Sequence, residues 1–76
     1  MINYLKHKRV DKDLTQQELA DLVGISRSRY AKIEAEYDKA LENMRFFEIE
    51  KLAHVYNLTV DEFARNYRNS LKIVID

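Results

Sequence analysis

Leu14–Glu34 reads LTQQELADLVGISRSRYAKIE, and its spacing decides the fold. Two short helical patterns meet across Gly24-Ile25-Ser26. Thr15 opens the first as an N-cap, with Glu18 three residues on to complete a capping box. Leu14 and Leu19 have the spacing of a hydrophobic staple around that cap. Leu19, Ala20, Leu22 and Val23 then recur along one apolar side. Gly24 stands where a helix end takes a left-handed residue.

Ser26 opens the second pattern, with Ile25 and Tyr30 as its staple. Arg29 stands where a capping box would have Glu. At ~100° per residue, Tyr30, Ile33, Glu34 and Tyr37 share one arc. Ser28 and Lys32 point the other way, with Ala31 and Ala35 beside them and Arg27 and Arg29 on the shoulders. The outward face is therefore short, small and basic. A DNA major groove, ~12 Å wide, admits one such helix.

These residues resemble the helix-turn-helix of the phage repressor and Cro-type family of bacterial transcriptional regulators. The likeness rests on Thr15, Gln16, Leu19, Ala20, Gly24, Ile33 and Glu34. It runs more loosely from about residue 4 to 67, through Leu58-Thr59-Val60-Asp61-Glu62-Phe63. The resemblance implies base reading by Arg27, Ser28 and Lys32, with Arg29 beside them. It also implies phosphate contact by Gln16, with Gln17 as a lesser candidate, and an Arg9–Glu34 ion pair beneath the helix-turn-helix. The family's usual Gly and Pro after the recognition helix are missing. Ala35–Asn43 reads AEYDKALEN, with three acids. Lys39 and Arg45 are the remaining basic candidates for DNA contact there, and the second helix of the motif is expected to run on to Tyr37 or Asp38.

Outward from that core, Asn3 is a cap for a first helix over Asn3–Val10, and Asp11-Lys12-Asp13 forms a turn. Asn43 is expected to cap a helix over Met44–Tyr56, with Phe46, Ile49, Leu52, Ala53 and Tyr56 as its core stripe. Asn57 is a left-handed stop. Thr59 and Glu62 repeat the capping box, with Leu58 and Phe63 as staple, for a helix over Val60–Tyr67. From Asn69-Ser70 the period changes: Leu71, Ile73 and Ile75 alternate with Lys72, Val74 and Asp76, as in a strand. The reading is an all-α, five-helix repressor-like domain over 1–68. A strand or tail over 69–76 follows, with Leu71, Ile73 and Ile75 in a dimer interface that pairs the exposed edge with a second copy.

Seventy-six residues make one domain, and one Gly and no Pro suit helices joined by short turns. The net charge is zero, but Met1–Ala35 carries seven bases against five acids, leaving the acidic excess to the remainder. This weak polarity predicts modest, salt-dependent affinity for DNA. No Cys is present for a disulfide or thiolate metal site. His7 and His54 lack partners at metal-site spacing. Gly24 alone cannot form a phosphate-binding loop, and Ser26 and Ser28 have no nearby base to activate them. No membrane span or signal peptide is visible. The sequence therefore predicts no enzyme, no cofactor and no small-molecule ligand. It predicts a cytoplasmic, homodimeric regulator of double-stranded DNA, most readily a repressor. The competing expectation is a protein-interaction module, an antitoxin or co-regulator, acting through the acidic region and the terminal strand.

Overall fold

The computed structural model describes residues 2–72, whose regular elements are all helical. The elements are α1 (Tyr4–Asp11), α2 (Gln16–Val23), α3 (Arg27–Ala35), a 3-10 turn (Tyr37–Lys39), α4 (Ala40–Asn43), α5 (Phe46–Val55) and α6 (Val60–Leu71). α2 packs on α3 and α5, while α6 packs on α1 and α5. Leu5, Leu19, Val23, Tyr30, Leu52 and Phe63 form the fully buried centre. No described helix is long and apolar enough to cross a membrane.

Caps set most of these boundaries. The Thr15 hydroxyl accepts from the Glu18 amide at 3.1 Å, and Glu18 Oε1 accepts from the Thr15 amide at 2.9 Å. Thr59 and Glu62 repeat this reciprocal pair at 3.1 and 2.9 Å. Asn3 and Ser26 cap α1 and α3 through their side-chain oxygens. Leu14, Ile25 and Leu58, each preceding a cap, pack against the core. Gly24 closes α2 in the left-handed region, at φ 84°, and Asn57 turns the chain after α5 at φ 59°. Asp13 also adopts positive φ, 56°, so the turn after α1 uses an Asp where Gly or Asn is commoner.

Two boundaries inside the domain depart most from the sequence reading. α3 stops at Ala35, and Tyr37 enters a 3-10 turn. Tyr37 is nevertheless buried, because its hydroxyl meets Ser70 and its carbonyl accepts from the Tyr67 hydroxyl at 2.6 Å. The two rings pack edge to face with centroids 5.0 Å apart, a favoured aromatic geometry. Asn43 is not the cap of α5; it ends α4, and Arg45 is the extended residue before the helix. Arg has no acceptor to cap with, so only half a box forms: Glu48 Oε1 accepts from the Arg45 amide at 2.6 Å. Phe46, at the first position of α5, is 66% exposed, and Met44, before the helix, is buried instead.

The strand expected at the C-terminus is not seen among the described residues. α6 continues through Asn69 and Ser70 to Leu71. The Ser70 hydroxyl donates back to the Tyr67 carbonyl at 2.6 Å and meets Tyr37, so this polar residue has an interior role within the helix. Leu71 lies one turn after Tyr67 and follows helical spacing as well as alternation. Ile73 and Ile75 fall outside the described residues.

Gly24 tests the turn. A Cβ there meets nothing within 4 Å, so only backbone strain opposes one. Gly24→Ala is expected to lower unfolding free energy by about 1–2 kcal/mol in urea titration. Gly24→Asn is expected to cost less, because Asn tolerates the left-handed region.

Candidate nucleic-acid interface

The sequence of α3 divides its surface into two faces. Tyr30, Ile33 and Glu34 face the interior and are buried. Arg27, Ser28 and Lys32 are exposed, and Ala31 between them is small and half-buried. The outward side thus offers two cations and a hydroxyl from one helix, with no bulky apolar side chain in their way. α2 packs against α3 across the Gly24 turn, which braces this face from behind.

A fork of hydrogen bonds holds the C-terminal end of α3. Arg9 Nε donates to Glu34 Oε2 at 3.0 Å, and Arg9 Nη2 donates to Glu34 Oε1 at 2.9 Å. The third arm, Nη1, donates to the Leu14 carbonyl at 2.8 Å. Arg9 therefore ties α3 to the turn before α2. Gln16 Nε2 approaches Glu34 Oε1 at 3.4 Å. Asn3 Nδ2 donates to the Glu34 carbonyl at 2.9 Å while its oxygen caps α1. Burial, the largest single influence, opposes ionisation of Glu34, but the hydrogen bonds and positive charge of Arg9, with the nearby Gln16 amide, together hold the carboxyl below its ordinary value.

A second fork holds the N-terminal end. Arg29 Nε donates to Glu48 Oε2 at 3.0 Å, and Nη2 donates to Glu48 Oε1 at 2.8 Å and to the Asn43 carbonyl at 3.0 Å. The sequence reading set Arg29 on an outward shoulder beside Arg27. Its guanidinium is instead engaged by α5 and the end of α4. The cause is Glu48, wholly buried, whose charge needs a partner in the interior. Burial alone would raise the Glu48 carboxyl, yet the Arg29 hydrogen bonds and the Arg45 amide keep it low. Sequence reasoning missed Glu48 as anything but a solvated acid. The available signal was its spacing: Glu48, Leu52 and Tyr56 fall on one helix face, and the other two are core residues.

The remaining candidates spread around this centre. Gln16 is half-buried at the start of α2, close to Glu34, whereas Gln17 is exposed and donates to Asp21 at 2.9 Å. Arg45 is exposed immediately before α5, and Lys39 is exposed in the 3-10 turn. His7 and His54 are exposed. Leu71 is half-buried in a groove of about 600 Å³. Leu41, Ile49 and Val60 are among its apolar walls, and Asp38, Glu42, Asp61 and Arg68 supply its charges.

Both buried carboxyls release their protons more readily in the folded chain than in the unfolded one. The stability they contribute is full above the ordinary carboxylate pKa, 4.5, and drains as pH falls through the depressed values. Glu34→Gln is expected to cost about 3 kcal/mol at pH 7, because Arg9 loses its counter-charge. The gap between variant and parent should narrow as denaturant titrations move from neutral pH down through and below the ordinary carboxylate value, 4.5. A gap independent of pH would show that Glu34 acts through shape alone.

No curated protein and no solved structure is significantly similar to the chain. The profile of the Cro/C1-type helix-turn-helix family matches residues 5–63. That span takes in α1 to α5 and the start of α6, and includes both forks. The braced α2–α3 pair, the exposed basic face of α3 and this match agree, and the chain belongs to the Cro/C1-type helix-turn-helix family of DNA-binding regulators.

Proposed function

We propose that the chain is a sequence-specific transcriptional repressor that binds operator DNA as a homodimer. The observation that supports this most is the exposed set Arg27, Ser28 and Lys32 on a helix held by an ion pair at each end. Arg27 has the chemistry for a bidentate contact to guanine O6 and N7, and Lys32 reaches the same edge. Ser28 is small enough to let the helix axis come close. Gln16 and Gln17, at the N-terminal end of α2, meet phosphate, where the helix dipole favours an anion. Arg45 supplies a further phosphate contact. Repression then follows from occupancy of the operator, with no catalytic group required.

The homodimer reading draws on the groove. Leu41, Ile49, Val60 and Leu71 give it an apolar floor that a second copy related by a two-fold axis would cover. Two recognition helices about 34 Å apart then meet successive major grooves. Replacing Ile49 or Leu71, which also pack on the core, by Ser is expected to convert the dimer to monomer in sedimentation analysis, with circular dichroism confirming that the helices remain. A mass unchanged by either substitution removes this interface.

Selection of bound duplexes from a random pool tests the main reading. The expected outcome is an enriched half-site repeated with two-fold symmetry, bound with an affinity that falls as salt rises. Against that site, Arg27→Ala should cost about 1–3 kcal/mol and relax the preference at one base pair. Unchanged discrimination in gel-shift titrations would remove Arg27 from base reading.

The exposed acids Glu36, Asp38 and Glu42 in the segment after α3 favour a second reading, a protein-interaction module such as an antitoxin or co-regulator. Random duplex at low and moderate salt separates the two. Binding that weakens with salt supports the DNA regulator, and no binding at either salt supports the protein partner.

A further inference from the structure

The Arg29–Glu48 fork joins the recognition face to two elements outside the helix-turn-helix. Arg29 stands on the first turn of α3, next to Ser28 and two residues after Arg27. Glu48 stands on the first turn of α5, and its Oε1 serves both Arg29 Nη2 and the Arg45 amide. The Asn43 carbonyl, at the end of α4, takes a further bond from the same nitrogen. One guanidinium therefore fixes the start of α3 against the end of α4 and the start of α5.

This contact supplies something that core packing does not. Tyr30 next to it is fully buried, and apolar burial sets the depth at which the helix seats. Burial of Tyr30 and Ile33 and the Arg9–Glu34 fork define the orientation of the middle and C-terminal end of α3, while its first turn, which carries Arg27 and Ser28, has no buried apolar anchor of its own before Tyr30. A bidentate guanidinium–carboxylate pair is planar and directional. Here it defines the angle at which Arg27 and Ser28 leave the surface, and the separation between them and Arg45. The carboxylate is wholly buried and the arginine mostly covered, so solvent competes little with the pair.

We infer that Arg29 is a positioning residue for sequence discrimination, acting through Glu48 and Asn43 without contacting DNA itself. This rests on the DNA-binding reading above. Arg29 spends its charge on Glu48 and adds no net charge to the DNA face. Because it meets no phosphate, its loss leaves the number of counterions released, and so the salt slope, unchanged, and lowers the preference for operator over random duplex. An arginine that met a phosphate would behave the other way: its removal would flatten the salt slope by about 0.9 and weaken both duplexes alike.

The test is a cycle of Arg29→Gln, Glu48→Gln and the double variant, with Arg29→Lys beside them. Each is titrated against the selected operator and a random duplex over a range of salt, after its fold is checked by circular dichroism. Both single variants are expected to lower the operator-to-random ratio about tenfold, and the double variant no further than either single. Arg29→Lys, which keeps the charge but not the fork, is expected to fall with Arg29→Gln. All salt slopes are expected to match the parent. A flattened slope in Arg29→Gln that Arg29→Lys restores overturns the inference, as does an additive double variant. A lowered melting temperature with an unchanged ratio assigns the fork to stability alone and overturns it too. Should Glu48→Gln fail to fold, the ratio and slope of the two Arg29 variants decide. Failure of the parent chain to enrich any duplex overturns the DNA reading itself, a result distinct from these.

Discussion

Glu34 and Glu48, two buried carboxylates at opposite ends of α3, determine how the recognition helix is seated. Each is met by a guanidinium fork, and the forks have opposite polarity. At the C-terminal end the acid is on α3 and Arg9 comes from α1; at the N-terminal end the base is on α3 and Glu48 comes from α5. Such pairs add little net stability over apolar packing, because desolvation offsets much of their attraction. Their consequence is geometric. Each partner is left costly to bury if the other moves away, so one arrangement of α1, α3 and α5 is strongly preferred.

Around this seat the chain uses a repeated local grammar. Thr15 and Thr59 start α2 and α6 with the same reciprocal box, and a leucine before each cap turns the incoming chain onto the core. Such devices are worth about 0.5–2 kcal/mol each and act within a few residues, so they define ends without choosing partners. The α5 start shows the limit of that grammar. Arg45 has no oxygen to offer, and the box is completed from one side only, by the same Glu48 that holds Arg29. The weakest local signal thus coincides with a bidentate contact between residues 19 apart in the chain.

The last turn of α6 follows the same logic. Tyr37, Tyr67 and Ser70 form a buried polar cluster in which each hydroxyl finds a partner. It joins the 3-10 turn to α6 and gives the helix a reason to pass through Asn69-Ser70. Helix propensity alone is weak there, since Asn and Ser compete for the backbone with their own side chains. A buried hydrogen-bonded serine reverses that preference.

By itself the sequence determined what is local or periodic. The caps at Asn3, Thr15, Ser26 and Thr59, the left-handed Gly24 and Asn57, and the division of α3 into inward and outward faces all follow from interactions spanning a few residues. Those were legible because the chemistry of a cap or a staple depends on near neighbours. Only the tertiary structure decided the late start of α5, the exposure of Phe46, the helical state of Leu71 and the inward commitment of Arg29. Each turns on a contact between residues far apart in the chain: Arg29 with Glu48 and Asn43, and Tyr37 with Tyr67 and Ser70. An arginine at helix spacing has the same local pattern whether it faces solvent or a buried acid, and the acid's burial is set by how the helices close on one another.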